Sequence, residues 1–456
     1  MRQHVIIGRY GPGDLYHRLA GKTEVVTNLE LVSGERQLKS GIGRALEDLT
    51  HLGVYPTEIG VDLLVLAAHV FAADTRISRV TESQDSWTRE IRLVVPVSDP
   101  DRWATGSDTL VRMLNFLTGD RWEIGFRSRP QGFATLTRHR SVGLRRPRFN
   151  KLALFSGGLD SLIGAVDLLE AGNTPLFVSH AGEGAISDAQ QTLFRTLRAE
   201  YSGRPFDRLR IWMTFPKDLV AGSEGEPTTR GRSFLFFSLG IFAGTGLEGD
   251  FTLLAPENGL IALNVPLDPL RLGALSTRTT HPFYIARWNE LLAQLDLPGK
   301  IENPYWNCTK GEMVASCANS TLLRRLIPLS LSCSSPSKGR WLGFGPQHCG
   351  YCVPCLIRRA AIDAGLGRGS DTIRYTIADL TARPLDTGQA KGQSIRSFQL
   401  AIERLRSRPD LATILVHKPG PLTDVSPDQQ AVLAEVYRRG LEEVNTLLNG
   451  VTTRSE

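Results

Sequence analysis

The sequence predicts an α/β protein organised around a parallel, doubly wound sheet, preceded by a mixed α and β region and followed by a helical one. Three observations predict this class. From Lys151 onward short buried apolar runs alternate with amphipathic helical stretches, a double-glycine turn joins the first run to the first helix, and the 456-residue chain exceeds the ~250 to 300 residues at which one core divides. The expected units are an N-terminal α+β domain at 1–148, of unknown role and without a motif that stands out chemically, the parallel-sheet domain at 149–366, and a C-terminal helical extension at 367–456.

In the first unit, β-branched and alternating runs predict strands at 25–31, 89–97 and 122–126, and helical spacing of apolar residues predicts helices at 62–71 and 109–117. Gly21-Lys22-Thr23 imitates the end of a phosphate-loop signature, but Tyr16 stands where its first glycine belongs and no buried strand leads in, so it is read as coincidence. In the second unit, strands are expected at 152–155, 176–178, 211–214 and 251–255, with helices at 160–169, 189–200 and from near Ser233. The nearly apolar stretch 234–247 is 14 residues long and broken by serine, threonine and glycine, whereas a membrane span needs ~20, so it reads as a core helix. Beyond 367, helical periodicity at 394–406 and 427–448 flanks a Pro419-Gly420-Pro421 break.

Hydrophobic residues at 41% and charged residues at 22% exclude a disordered chain and a membrane protein. The start, Met1-Arg2-Gln3-His4 and three apolar residues before a glycine, lacks the roughly 7 to 15 residue apolar stretch of a secretory signal, so a cytoplasmic location is expected. A net charge of +6 gives no strong nucleic-acid signal. The densest basic run, 138–148 with five arginines, reads as a solvated linker or as a contact to a phosphate-bearing partner. Only nine of the 53 basic residues are lysine, which makes Lys310 informative.

The strongest chemical signal is Ser156-Gly157-Gly158-Leu159-Asp160-Ser161, between an apolar strand and an amphipathic helix. Paired glycines let backbone approach a phosphate, the helix N-terminus offers unpaired N–H groups and a positive dipole end, and two serines add hydroxyl donors. Asp160 would repel a bare phosphate, which leaves two explanations for it, a bound Mg²⁺ or a capping role. Ligands of parallel sheets bind at this C-terminal edge.

The second signal is cysteine placement. All six cysteines fall between Cys308 and Cys355, and four make Cys333-x15-Cys349-x2-Cys352-x2-Cys355, a spacing suited to a closed structural Zn²⁺ site. An iron-sulfur cluster is the alternative, and disulfides suit a cytoplasmic chain poorly. Cys308 and Cys317 are left over as ordinary thiols.

The hexapeptide resembles the pyrophosphate loop of the PP-loop ATP pyrophosphatases. Combined with the cysteine cluster about 170 residues further on, ending Cys349-Gly350-Tyr351-Cys352-Val353-Pro354-Cys355, it is similar to the 7-cyano-7-deazaguanine synthase (QueC) family. Gly231-Arg232-Ser233 resembles the family's Gly-Arg-Asn, and Lys310-Gly311-Glu312-Met313 its lysine-containing helix start. The resemblance implies a PP-loop fold, ATP bound at Ser156, Gly157, Gly158, Leu159, Asp160 and Ser161 with Mg²⁺, a structural Zn²⁺ on Cys333, Cys349, Cys352 and Cys355, and catalytic roles for Asp160, Ser161, Arg232 and Lys310, the last two neutralising phosphates. It covers about residues 150–365, and the long flanks resemble the QueC-like component of Qat anti-phage defence systems. That branch implies a ligase that adenylates a 7-deazaguanine carboxylate and passes it to an amine of a protein partner encoded nearby. The alternatives are nitrile synthesis from ammonia, RNA thiolation through Cys308 or Cys317, and a scaffold that only binds nucleotide. In place of the family's Tyr, Pro, Asp and Cys segment stand Pro256-Glu257-Asn258-Gly259, Asn264-Val265-Pro266-Leu267 and residues 276–282, which leaves the nucleophile open. The flanks are expected to hold the partner, so that removing the chain from Ser394 onward would spare adenylation.

Overall fold

The structure is a computed structural model that describes residues 2–33, 37–83, 85–138, 149–182, 184–268 and 278–455. The basic run from His139 to Arg148, and Ser276 and Thr277, lie outside the described residues.

Val5, Ile6 and Ile7 are buried on both faces of a strand, β1 (Gln3–Arg9), that lies inside a four-stranded sheet with β2 (Glu24–Glu30), β3 (Glu90–Val97) and β4 (Arg121–Ser128). The order is β2-β1-β3-β4 and every pairing is parallel. The N-terminal region is therefore α/β in construction and not α+β as expected. Its apolar triplet is too short for periodicity to mark β1, although a doubly covered strand needs no alternation. Gly21-Lys22-Thr23 forms part of the turn entering β2, with no helix after it.

Helix α1 (Glu58–Arg76) explains why this region is not a separate body. It is buried from Ile59 to Thr75 without interruption, its polar residues Asp62, His69 and Asp74 included, so it packs against protein on all sides. One face meets β3 and the other the later helix 232–244. A single core joins Ile6 and Leu93 of the first sheet, Leu64 and Phe71 of α1, Phe237, and Leu152 and Val178 of the second sheet. Helix α2 (Ser107–Thr118) falls where its spacing predicts.

The second sheet is built from β5 (Lys151–Leu154), β6 (Pro175–Ala181), β7 (Asp207–Trp212), β8 (Phe251–Leu254) and β9 (Gly299–Glu302), in the order β9-β8-β5-β6-β7, again all parallel. β7 was expected at 211–214 because its apolar residues sit there. It starts earlier because an edge strand alternates, burying Leu209 and Ile211 and leaving Arg208 and Arg210 at its side. The chain adds β6 and β7 on one side of β5, then crosses to add β8 and β9 on the other. The sheet order thus reverses between β5 and β8, and this is where such sheets open a ligand crevice beyond their strand ends.

Around this sheet lie α3 (Leu159–Glu170), α4 (Gly184–Glu200), α5 (Arg232–Gly244), the short α6 (Gly259–Leu263), α7 (Lys310–Ser316) and α8 (Val353–Leu366). The C-terminal helices α9 (Ala390–Ser407) and α10 (Pro427–Leu447) form a second core in which Phe398, Tyr437 and Leu441 pack on Leu260 and Leu263 of α6 and Leu356 of α8. The extension is thus sealed onto the back of the second sheet's helices. No helix among the described residues is long and apolar enough to cross a membrane.

Candidate functional site

Leu253 and Leu254 of β8 pair in register with Leu152 and Ala153 of β5, so residues an equal distance past the two strands face each other across the crevice. Ser156 leaves β5 and Glu257 leaves β8. A cavity of about 370 Å³ opens between them, lined by Ser156, Gly158, Asp160, Ser161, Arg232, Glu257, Lys310 and Cys333 among others. The structure therefore collects every predicted class of site residue around one space, although they come from segments as far apart as 156 and 333.

The 156–161 loop owes its shape to Gly157, whose φ of +83° suits glycine and whose place a Cβ would occupy only 2.9 Å from Gln190 Cγ. Gly158 is the N-cap of α3 and supplies no capping side chain; one first-turn donor, Leu159 N, is taken instead by Ser332 Oγ from a distant segment. Ser156 Oγ accepts from Gly158 N at 3.3 Å and meets Ser161 Oγ at 3.1 Å, and Ser161 Oγ also donates to Gly158 O at 3.0 Å. A second, longer helix, α5, also begins at the cavity without a side-chain cap, behind Gly231 and with Arg232 and Ser233 in its first turn. Two positive helix ends therefore converge on one space.

Asp160 does not cap its own helix. Its Oδ1 lies 3.0 Å from Lys310 Nζ, and its Oδ2 accepts from Asn258 N at 3.2 Å and from Asn258 Nδ2 at 2.7 Å. A lysine of the chain itself thus neutralises the carboxylate that a phosphate would repel. Lys310 reaches it from the first position of α7, where Thr309 and Glu312 make a reciprocal capping box: Glu312 N donates to Thr309 Oγ1 at 3.1 Å and Thr309 N to Glu312 Oε2 at 2.8 Å. Arg232 Nη2 sits 3.4 Å from the carbonyl of His180 at the end of β6.

Glu257 was not singled out from sequence as a site residue. Thr280 Oγ1 donates to its Oε2 at 2.5 Å, and Asn303 clasps its backbone, accepting from Glu257 N at 3.3 Å and donating to its carbonyl at 2.7 Å. Burial, reinforced by the Asp160 charge, pushes its carboxyl up to about 7 against the opposing bond from Thr280.

The four predicted metal ligands converge. Their sulfur atoms all lie within 4.8 Å of one another, with Cys349 and Cys355 at 3.8 Å and Cys333 and Cys352 at 4.0 Å, and all six cysteines of the chain are free thiols. A tetrahedron with metal–sulfur bonds of about 2.3 Å has edges of about 3.8 Å, so these thiols fit one ion, with no room for a cluster of irons. Backbone N–H groups of Cys349 and Cys352 point at Cys333 Sγ (3.5 Å) and Cys349 Sγ (3.3 Å), donors that would stabilise thiolate charge.

This cluster is tied to the loop through residues 331–333. Leu331 N donates to Gly157 O at 2.9 Å, and Ser332 Oγ accepts from Leu159 N at 3.1 Å and from the buried Arg358 Nη1 at 3.2 Å. Ser332 N in turn donates to His348 Nε2 at 3.1 Å, an imidazole that burial holds neutral with its pKa lowered to about 3. Ser332 carried no signal in the sequence beyond standing before Cys333.

Of the remaining thiols, Cys317 is pushed up to about 12 by burial and Cys308 is raised for the same reason, and neither lines the cavity. The C-terminal helix also reaches the site. Glu443 of α10 accepts from Thr309 Oγ1 and, at 3.2 Å, from Gly311 N, while Arg439 Nε donates to Glu312 Oε1 at 2.7 Å. Both neighbours of Lys310 are therefore held by α10, contacts that removal of the chain beyond Ser394 would take away. The chain matches no protein-family model, and no curated protein matches it.

Proposed function

We propose that the protein is an ATP-dependent, AMP-forming ligase of the PP-loop type, similar to QueC, that activates the carboxylate of a 7-deazaguanine and transfers it to an amine, in the setting of anti-phage defence an amine of a partner protein. The observation that carries this reading is the cavity at the strand-order reversal, where two helix N-termini whose N-cap residues are glycines, Arg232 and the Lys310–Asp160 pair surround a space large enough for a nucleotide's phosphates. A carboxylate has no leaving group, whereas an acyl adenylate expels AMP. Fixed N–H and hydroxyl donors of the 156–161 loop suit the charge that gathers on departing pyrophosphate. Mg²⁺ bound with ATP would spread that charge further. Zn²⁺ on the four cysteines would act as structure, since four protein ligands leave it no open position.

The second reading is free nitrile synthesis from ammonia. It is favoured by the contacts of Glu443 and Arg439 with the Lys310 segment, which give the C-terminal helices a structural purpose without any partner. RNA thiolation is disfavoured by Cys308 and Cys317, whose raised pKa values leave little thiolate to carry sulfur.

The test is incubation with ATP, Mg²⁺ and 7-carboxy-7-deazaguanine, together with ammonium or the product of a neighbouring gene, and identification of products by mass. A partner heavier by the acyl group supports the ligase, a nitrile from ammonium supports the second reading, and absence of carboxylate-dependent AMP removes both.

A further inference from the structure

Any amide synthesis from an activated carboxylate ends with a proton to be removed from the attacking nitrogen, and the site offers few groups to take it. Asp160 is committed to Lys310 and Asn258. His281, in the segment that carries Thr280, has its Nδ1 accepting from Phe283 N at 3.2 Å. His180 is buried at the end of β6, and its pKa falls to about 3.

Glu257 is differently placed. It stands on the second lip of the crevice, directly opposite the loop, with its backbone fixed by Asn303, one carboxylate oxygen fixed by Thr280, and its side chain on the cavity wall. We propose that Glu257 is a catalytic residue of the transfer half-reaction, the base that receives the N–H proton of a primary amine as it attacks the activated carboxylate, a role that rests on the ligase reading above.

The step balances without a further reactant. The amine lone pair forms the C–N bond while the carbonyl electrons move to oxygen, and Glu257 takes one N–H proton. The electrons then return and break the C–O bond to phosphate, so that AMP leaves with that pair and the amide remains. Glutamic acid loses its proton to solvent. The charged groups facing Glu257 are Asp160 from α3, which favours its protonated form, and Lys310 from α7, which favours its ionised form. A carboxyl that changes state at about 7 is matched to this task, because it is ionised often enough to accept and basic enough to hold a proton.

The test separates the two half-reactions in the full-length protein. Exchange of labelled pyrophosphate into ATP, dependent on 7-carboxy-7-deazaguanine, reports activation; amide formation with a primary amine reports transfer. Glu257→Gln is expected to lower transfer by roughly 10²- to 10⁴-fold more than it lowers exchange, with the wild-type rise through pH ~7 gone from the transfer profile. Hydroxylamine, whose weakly basic nitrogen gives its proton to water once it is bonded to the carbonyl carbon, is expected to restore acyl transfer in the variant, and Glu257→Asp to restore part of the amide rate. Equal transfer rates and superimposable pH profiles with exchange intact would overturn the role of Glu257 and leave the ligase standing. Loss of exchange in the variant alone would also overturn it, by assigning Glu257 to activation. Absence of carboxylate-dependent exchange in the wild type would overturn both.

Discussion

Asp74 accepts a 2.7 Å hydrogen bond from the backbone N–H of Gly231, 157 positions away, and so fixes from behind the residue that precedes Arg232. The carboxylate belongs to a network that is buried throughout: Asp74 Oδ1 meets Arg89 Nη2 at 3.1 Å, and Arg89 and Arg79 share Asp120. The N-terminal sheet region, whose sequence shows no chemical motif, thereby anchors the backbone from which one of the cavity's cationic side chains, Arg232, extends.

Asp74→Ala should therefore cost about 3–5 kcal/mol, the penalty for leaving a buried arginine short of a partner. Asp74→Asn, which keeps an oxygen for the Gly231 N–H, should hold ATP more tightly than the alanine variant. Urea unfolding and nucleotide titration check the two outcomes, and equal ATP affinity in both variants would separate Arg232 from this network.

Ser161→Ala should lower the rate of AMP formation by about 10²- to 10³-fold while leaving stability within about 1 kcal/mol, since it removes one hydroxyl at a helix start. Asp160→Ala should behave differently. Its carboxylate is the partner of a Lys310 that is only 5% exposed, so its loss should destabilise the fold by several kcal/mol as well as abolish activity. Chemical denaturation alongside rate measurement distinguishes them.

Cys352→Ser should release the metal and lower stability by several kcal/mol. Because Leu331 and Ser332 bond the loop directly, metal loss should also weaken nucleotide binding. Metal analysis of the wild type should give one zinc per chain; stoichiometric iron, or no metal, would defeat the assignment. ATP affinity unchanged by chelation would break the proposed link.

Glu257 also carries a stability signature. Its carboxyl is raised in the folded state from 4.5 to about 7, so the folded form binds the proton more tightly and stability falls as pH rises across that interval. The interval corresponds to at most about 3 kcal/mol. Glu257→Gln lacks this term, and its stability relative to wild type should improve between pH 5 and pH 8. Parallel unfolding curves at the two pH values check the sign.

Two parts of the site are legible in the sequence because their chemistry is local. The 156–161 loop compresses its donors into six residues after a strand, and the cysteines carry a ligand spacing that survives into sulfur positions of tetrahedral edge length. Arg232 and Lys310 came from resemblance, and the fold supplies the reason each is fixed, a network for one and a capping box for the other. Glu257, Asp74, Ser332 and Glu443 were not legible. Each acts through a contact with a distant segment, and nothing in its own neighbourhood sets it apart from an ordinary surface or core polar residue. The parallel character of the first sheet was hidden for a related reason, since strand direction is decided by the path of the chain between strands.

The hold of Glu443 on Gly311 spans 132 positions, which orders events while the chain is being made. At about 5–20 residues per second, Lys310 leaves the ribosome on the order of ten seconds before the carboxylate that clamps its flanks has been translated. A nascent chain halted late in that interval would already display the loop, the lysine and all four cysteines, yet α10 would be missing from behind them. Messages truncated before α10 should therefore yield polypeptides that do not consume ATP, and activity should appear only with the finished product.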